Sequence, residues 1–438
     1  MFKKINGPAG HGKTFTLIED IKALYDPARA DNEQSFVLIT PTNKAAMVLN
    51  SRLIAAGLPP LAKTLHSTLY TWVQSDDIKS IKRVRSIDPD THKFYVDALG
   101  EPVYHEEIEY YFDRTIKESI KHKVIFVDES SMVNSEVWHD LITCGLVEEI
   151  NAYGDERQLP PIEDCAKLNA DIQPYFRFWH QYQDEVKTLT VNHRQAGDLK
   201  TFVEVIESSI FKGRGEIPVP LAIGDNLSVH ASDITERQLL GLMMESDIIL
   251  TPYHKVRQLT NIIVRKERAE RSGKRFVKRP VEGDRIIFND AIKREYEVNN
   301  RTIRYIYLPK NVTATITKVH DFDAEDNLMI IDFTDETGTD HENIVVCVDK
   351  IMGEKSHAEA TRIDYAYALT VHSSQGGQWD RVLFLDSFWK DENIRNLRYV
   401  GITRAAKQLA IVTGITNSTE ASDAHRSLLI RLAQQYAE

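Results

Sequence analysis

Residues 6–17 read NGPAGHGKTFTL. From Gly7 to Thr14 the stretch fits G-x-x-x-x-G-K-[ST], a phosphate-binding loop. In such a loop successive backbone N–H groups cradle phosphates, the lysine reaches the terminal ones, and the hydroxyl binds Mg2+. The expected triphosphate-binding residues are therefore Gly7, Pro8, Ala9, Gly10, His11, Gly12, Lys13 and Thr14, with Thr14 also a metal ligand. Residues 2–6 read as a very short strand before the loop, and Lys13 to about Tyr25 as a helix after it. A phosphate loop serves kinases, GTPases, transporters and motors alike, so other residues must say what hydrolysis drives.

The chain has 438 residues, enough for two to four domains. Its composition, 42% hydrophobic and 27% charged, is that of a globular protein with ample core. No apolar run is long enough to span a membrane, and MFKKINGPAG carries no secretory signal. Cys144, Cys165 and Cys347 are odd in number and lack metal-ligand spacing. They read as buried thiols of a protein in a reducing cytoplasm. A net charge of −11 argues against coating nucleic acid with the whole surface. It leaves room for a local basic groove, because screening acts over about 8–10 Å. RKERAERSGKRFVKR (265–279) holds eight basic and two acidic residues. It fits either a solvated helix face or a contact with a phosphate backbone.

Short apolar runs alternate with helical patterns. SFVLITPT (35–42) reads as a buried parallel strand, and NKAAMVLNSRLIAAG (43–57) as a helix stopped by glycine. VIFVDESSM (124–132) and EEINAYGDERQLPPI (148–162) each run from strand into polar loop. This is the pattern of a parallel α/β sheet with its ligand at the carboxyl ends of the strands. SIKRVRSIDPDTHKFYVDALG (80–100) interrupts it with two β-like runs around Asp88–Thr91, an inserted hairpin. A second α/β pattern starts near Glu185. DIILTPYHKVRQLTNIIVRKERA (247–269) is its strand and long helix. From Gly283 to about Lys350 five runs (DRIIFN, RTIRYIYL, VTATITKV, NLMIIDF, NIVVCV) suggest a small barrel, and the α/β pattern resumes at Tyr365. The expected division is residues 1–73 and 113–184 for a first α/β domain and 74–112 for the hairpin. Residues 185–282 and 351–438 make a second α/β domain, and 283–350 the barrel.

Asp128-Glu129 closes an apolar strand. Mg2+ takes hard oxygen ligands, so Asp128 is expected to hold it with Thr14. Glu129 beside it can polarise the attacking water. Gln158, in GDERQLPPI (154–162), has a neutral amide suited to sensing a γ-phosphate. Arg194 (LTVNHRQ, 189–195) and Arg404 (YVGITRAAKQL, 399–409) lie in the second half, from which they could reach the phosphates. An arginine finger is worth about 10³–10⁵ in rate, roughly 4–7 kcal/mol. It also makes hydrolysis depend on domain closure. ALTVHSSQGGQWDRV (368–382) offers Gln375 and Gly376 to the nucleotide, and Thr370, His372 and Ser373 as phosphate-sized donors.

Taken together these stretches resemble the superfamily 1 helicases of the RecD/Dda-like branch. The resemblance rests on GPAGHGKT (7–14), TPTNKAA (40–46), TLHSTLY (64–70), VDESSM (127–132), GDERQLPPI, LTVNHR, TPYHKVRQLTN (251–261), LTVHSSQG (369–376) and YVGITRA (399–405). It implies two RecA-like P-loop domains with ATP and Mg2+ between them. It also implies a small β-hairpin insertion in the first domain that acts as a strand-separating pin, and an SH3-like β-barrel insertion in the second. By position, Thr42, Asn43, Thr64 and His66 of the first domain would contact DNA, with Pro252, Tyr253, Thr370, His372 and Ser373 of the second. Such helicases read adenine through a glutamine segment upstream of the loop. Six residues precede Gly7, so no adenine-reading residue is assigned. No aromatic stands at the hairpin tip, although Phe94 and Tyr95 lie on its second strand.

The function expected is an ATP-dependent DNA helicase translocating on single-stranded DNA; the 5′→3′ direction is what the resemblance implies. Its expected partners are single-stranded DNA, DNA forks and replication or recombination proteins, for a cytoplasmic monomer without a membrane. A P-loop kinase or NTPase switch acting on a small substrate is the rival. It explains residues 7–14 and 128–129 but not Arg194, Gln375 and Arg404. A partner-dependent RNA or DNA translocase subunit is the third reading.

Overall fold

In the computed structural model the described residues are 1–190, 197–298, 301–352, 360–387, 393–415 and 428–435. The chain divides into two compact units. Met1–Leu69, Ile116–Val264 and Ala368–Glu438 form one, and Tyr70–Thr115 with Arg265–Tyr367 the other.

The first unit holds two RecA-like α/β lobes, each built on a six-stranded sheet. Across the first sheet the strands run Val186–Thr188, Phe2–Asn6, Glu149–Gly154, Val124–Val127, Phe36–Thr40, Lys63–Thr64. All five pairings are parallel. Parallel strands need both faces covered. The Lys13–Lys22 and Asn43–Ala55 helices do this on one side through Leu17, Ile18, Ile21, Leu49 and Leu53, packed with Phe36, Leu38 and Phe126. The Asn43–Ala55 helix starts on Thr42, whose hydroxyl accepts the Ala45 N–H at 3.1 Å. It stops before Gly57, at φ +83°. The second sheet runs Leu221–Ile223, Asn226–His230, Ala405–Ile415, Trp379–Ser387, Ile248–Thr251, Ala368–Thr370. Only its first pairing is antiparallel.

One expected boundary moves. Residues 186–188, assigned from sequence to the second domain, form the edge strand of the first sheet, with Lys4 opposite Val186. A polar three-residue strand carries too little pattern to reveal its partner.

The second unit departs further from the expectation. Its closed barrel joins Arg285–Phe288, Thr313–Asp323, Leu328–Asp335, Asp340–Cys347 and Thr361–Tyr365. RTIRYIYL, expected in the barrel, instead forms the strand Arg301–Leu308, and the fifth barrel strand lies beyond residue 350. Arg301–Leu308 sits in a four-stranded sheet, ordered Ile292–Val298, Arg301–Leu308, Tyr70–Arg85, Tyr104–Ile116. Its pairing of Ile303 with Val73 joins residues 230 positions apart. The expected hairpin is thus the tip of a long two-stranded arm. Its turn is held by Asp88, which accepts from Asp90 N at 2.8 Å and Thr91 N at 3.1 Å. Phe94 is buried with Leu328, Ile330 and Cys347 of the barrel, and Tyr95 is exposed.

The thiols differ from expectation as well: Cys347 is buried, Cys144 half-buried and Cys165 exposed. Among the described residues no helix is long and apolar enough to cross a membrane.

Arg85 ties arm to barrel inside this unit. Its Nε donates to Asp323 Oδ2 at 2.6 Å and its Nη1 to the Tyr95 and Val103 carbonyls, the latter at 2.8 Å. Both side chains of the pair are under 10% exposed. Removing one partner of a buried pair strands the other charge, at about 3–5 kcal/mol. Arg85→Ala is expected to lower unfolding free energy by that order in denaturant titration. A loss below about 1 kcal/mol, the value of an exposed pair, would show the contact to be solvated.

Candidate nucleotide-binding site

The phosphate loop starts where the strand Phe2–Asn6 ends. Gly7 N–H donates to the Gly154 carbonyl at 3.0 Å, fixing the loop to the neighbouring strand. Gly10 and Gly12 take φ of +83° and +78°, left-handed geometry that costs other L-residues about 1–2 kcal/mol each. Gly12 caps the Lys13–Lys22 helix without a side chain, so the positive end of the helix faces the loop. Lys13 Nζ folds back onto the Gly7 and Pro8 carbonyls at 2.5 and 3.1 Å and lies 3.9 Å from Asp155 Oδ2.

A cavity of ≈ 560 Å³ opens from this loop. From the first lobe it is lined by Ala9, Gly10, Gly12, Lys13 and Thr14 of the loop, and by Asp128, Glu129 and Gln158. Gly376, Gly377, Gln378 and Arg404 of the second lobe complete it. Gly7, Pro8 and His11 belong to the loop but not to the lining. Gln375 stands next to the lining, and its buried Nε2 has no hydrogen-bond partner among the described residues. Arg194 lies outside the described residues.

Asp128 is buried, and its Oδ1 accepts the Glu129 N–H at 3.0 Å. Burial and the adjoining Glu129 carboxylate push its acid up to about 7, against the pull of Lys13 and Arg52. Glu129 is left-handed at φ +51°, ψ +38°, an outlier of the kind that costs about 1–3 kcal/mol. Its Oε2 accepts from Gln158 Nε2 at 2.9 Å, joining two predicted site residues. Arg404 is buried, and burial pulls its pKa down while the Glu129 and Asp155 carboxylates push it up. Its guanidinium donates to the Val400 and Gly377 carbonyls at 3.0 and 3.3 Å. Gly376, at φ +76°, comes so close to the first lobe that a Cβ there would meet Thr42 Oγ1 at 2.5 Å. Only glycine fits that approach.

Sequence reading missed Arg52, which lines the cavity and donates to Thr14 Oγ1 at 2.9 Å. It sits inside a plain helical stretch and carries no local signal. Tyr399 and Asp155 were also passed over, although both lie in quoted stretches. The Tyr399 hydroxyl bonds Asp155 Oδ2 and the Ala9 N–H, each at 2.6 Å.

The candidate DNA residues occupy matching places in the two lobes. Thr42, Asn43, Thr64 and His66 end or follow the last two strands of the first sheet. Pro252, Tyr253, Thr370, His372 and Ser373 end or follow the last two of the second. Thr42 and Thr370 are already engaged. The first caps its helix, and the second holds Ser373 through Ser373 N and Oγ at 3.2 and 2.9 Å. In the other unit the basic tract splits. Arg265 is buried against Asp284 at 2.8 Å, a scaffold role. Arg268, Lys274, Arg275 and Arg279 line a cleft of ≈ 550 Å³.

Beneath the Asp155 loop, Glu207 faces Arg157 at 3.5 Å. Burial pushes Glu207 up to about 7; Arg157 offsets part of this, and Asp155 and Glu204 add to it. The unfolded chain releases this proton near 4.3. Ionisation therefore opposes folding, and stability is lost as pH rises from about 4.3 to about 7. Glu207→Gln, neutral throughout, is expected to gain several °C of melting temperature over the wild type between pH 4.5 and pH 8. A difference that stays constant across this range would refute the assignment.

Residues 2–164 match an AAA domain family, and residues 365–412 the UvrD-like helicase C-terminal domain. No curated protein matches the chain. Among solved structures, Pif1 helicase from Bacteroides in complex with ADP-AlF3 and ssDNA is 16% identical at TM-score 0.45, covering 99% of this chain and 92% of that one. Pif1 helicase from Candida albicans is 15% identical at TM-score 0.44, covering 100% and 96%. The two matched families, one containing the phosphate loop and the other the segment from Tyr365 to Val412, support a superfamily 1 helicase.

Proposed function

We propose that this chain is an ATP-dependent helicase that moves on single-stranded DNA in the 5′→3′ direction and unwinds duplex ahead of it. The observation that carries the reading is the cavity itself. Lys13, Asp128, Glu129 and Gln158 line it from one lobe, Gly376 and Arg404 from the other. A site assembled from two lobes makes hydrolysis depend on their separation, which a motor needs and a single-lobe kinase or switch does not.

The roles follow from chemistry. The Gly7–Thr14 loop and the helix behind it hold the phosphates, and Lys13 reaches the terminal ones. Thr14 and Asp128 offer one hydroxyl and one carboxylate at the same cavity. That donor set is too small for an all-protein cage but fits Mg2+, which keeps several waters and takes phosphate oxygens. Mg2+ would neutralise phosphate charge as it develops. Arg52 and Lys13 counter the Asp128 charge meanwhile. Glu129, oriented by Gln158, is the candidate base for the attacking water. Arg404 is bound to the Val400 and Gly377 carbonyls, and its remaining N–H donors are proposed to meet a γ-phosphate as the lobes close. Arg194 is proposed beside it on sequence grounds alone. The matching strand ends of the two lobes would carry the DNA strand, and the arm tipped by Asp88–Thr91 is proposed as the pin.

ATP turnover by the purified chain, with and without single-stranded DNA and with single-stranded RNA as comparison, tests the reading. At least a tenfold stimulation by DNA is expected, at the level of about 1.4 kcal/mol of barrier or more. Turnover indifferent to both polymers would favour the kinase or switch. Stimulation by RNA alone would move the substrate. Lys13→Ala should abolish turnover with an unchanged melting curve, and wild-type rates in it would remove the phosphate-loop assignment. Glu129→Gln should bind ATP and DNA yet lose at least about 10²-fold in kcat, the lower range for a general base. Arg404→Lys, which keeps the charge and lightens the risk of unfolding, should lose kcat with little change in DNA affinity.

A further inference from the structure

The Ile394–Ile402 helix of the second lobe touches the first at two points that the chemistry above does not require. Tyr399 is fully buried. Its hydroxyl donates to Asp155 Oδ2 and accepts from the Ala9 amide of the phosphate loop, both at 2.6 Å. One turn earlier, Asn396 Nδ2 donates to the Arg157 and Gln158 carbonyls at 2.9 and 3.2 Å. Residues three apart share a helix face. That one face therefore grips the phosphate loop and the loop bearing Gln158 together. Arg404 follows the helix and is bound back to it through Val400. Asp155 also faces Lys13, at 3.9 Å, and accepts the Arg157 N–H at 3.0 Å.

We infer that Tyr399 is a positioning residue whose hydroxyl joins the second lobe's helix to Ala9 and Asp155, passing movement of the Arg404-bearing lobe to Lys13 and Gln158. Packing alone would need only the ring, which meets Phe211 edge-on at 5.6 Å. A phenol buried this deeply is favoured only where both of its hydrogen bonds are made. The bond to a carboxylate is of the stronger, charge-assisted kind. Burial, with Asp155 and Glu207 nearby, keeps the phenol protonated, so it donates at every working pH. Tyr399 and Asn396 thus make the second lobe sense the loop's position before Arg404 is used. The inference rests on the ATP-driven reading above.

Tyr399→Phe removes one oxygen and leaves the ring. The test measures ATP turnover with and without single-stranded DNA, KM for ATP and the melting curve, for wild type, Tyr399→Phe, Asp155→Asn, the double variant and Asn396→Ala. The expected result is about a tenfold loss of DNA-stimulated kcat in Tyr399→Phe, the order of one charge-assisted hydrogen bond, with KM within about threefold. The double variant should fall no further than the weaker single, because the two groups act as one. Asn396→Ala should lose stimulated kcat in the same direction. Wild-type stimulation in Tyr399→Phe, with the parent stimulated, would sink this inference alone. Parallel losses of kcat, ATP affinity and melting temperature in both Tyr399→Phe and Asn396→Ala would reduce the contacts to packing and overturn it. A parent that DNA does not stimulate would end the motor reading, and the inference with it.

Discussion

The hydrogen bond from Gly7 N–H to the Gly154 carbonyl, 3.0 Å long, sets the place of everything else at the site. It joins the carboxyl ends of two neighbouring parallel strands at the point where one becomes the phosphate loop and the other the Asp155–Gln158 loop. Parallel register then brings the next strand, Val124–Val127, to the same edge, so that Asp128 and Glu129 emerge beside the loop. A sheet of antiparallel strands could not deliver three successive loops to one edge. The chemistry follows from the order of strands, and that order follows from apolar runs such as FVLIT and VIFV, which need cover on both faces.

This is why the first lobe was legible from sequence and the second unit only in part: its barrel was expected and forms, but with one strand misassigned. GPAGHGKT, VIFVDES and GDERQ each pair a buried strand with a polar turn, and local pattern suffices to place them. The Asn43–Ala55 helix was equally plain, with a threonine before it and glycine after it. RTIRYIYL has the same β character as the barrel strands, and nothing local says that its partner is Val73. Likewise VKT at 186–188 is too short to declare its sheet. Pairings spanning hundreds of residues are set by which faces bury together, information that a local window lacks. Arg52 shows the same limit at the site. It stands on a regular helix and gains its meaning only because Thr14 lies opposite.

The second lobe contributes few groups to the cavity, and each is tightly held. Gly376 fits against Thr42 only because it lacks a side chain, and Arg404 is tied to its own helix. Tyr399 and Asn396 hold two loops of the other lobe. Contacts of this kind favour discrete arrangements over gradual bending, since buried polar groups must keep their partners or find new ones together.

Several places where local rules fail lie at this cavity. Glu129 takes a left-handed backbone that few non-glycine residues adopt. Asp128 is a buried acid with another carboxylate beside it. Gln158 Oε1, Ser130 Oγ and Gln375 Nε2 are buried without a hydrogen-bond partner among the described residues. Each feature costs free energy, on the order of 1–3 kcal/mol for a strained residue or an unmet polar group. Elsewhere in this lobe the core between sheet and helices is apolar, and Thr42 and Asn134 cap their helices, but Trp138 Nε1, Trp179 Nε1 and both His180 ring nitrogens are also buried without a hydrogen-bond partner among the described residues. The strain at this edge, opposite a second lobe bearing a buried arginine, lies where a ligand with charge and hydrogen-bond acceptors would relieve it. A triphosphate with its metal is such a ligand. It would supply acceptors for Gln375 and the loop amides, and cationic charge for Asp128. Its hydrolysis would withdraw them in turn, returning the strain to residues gripped from both sides.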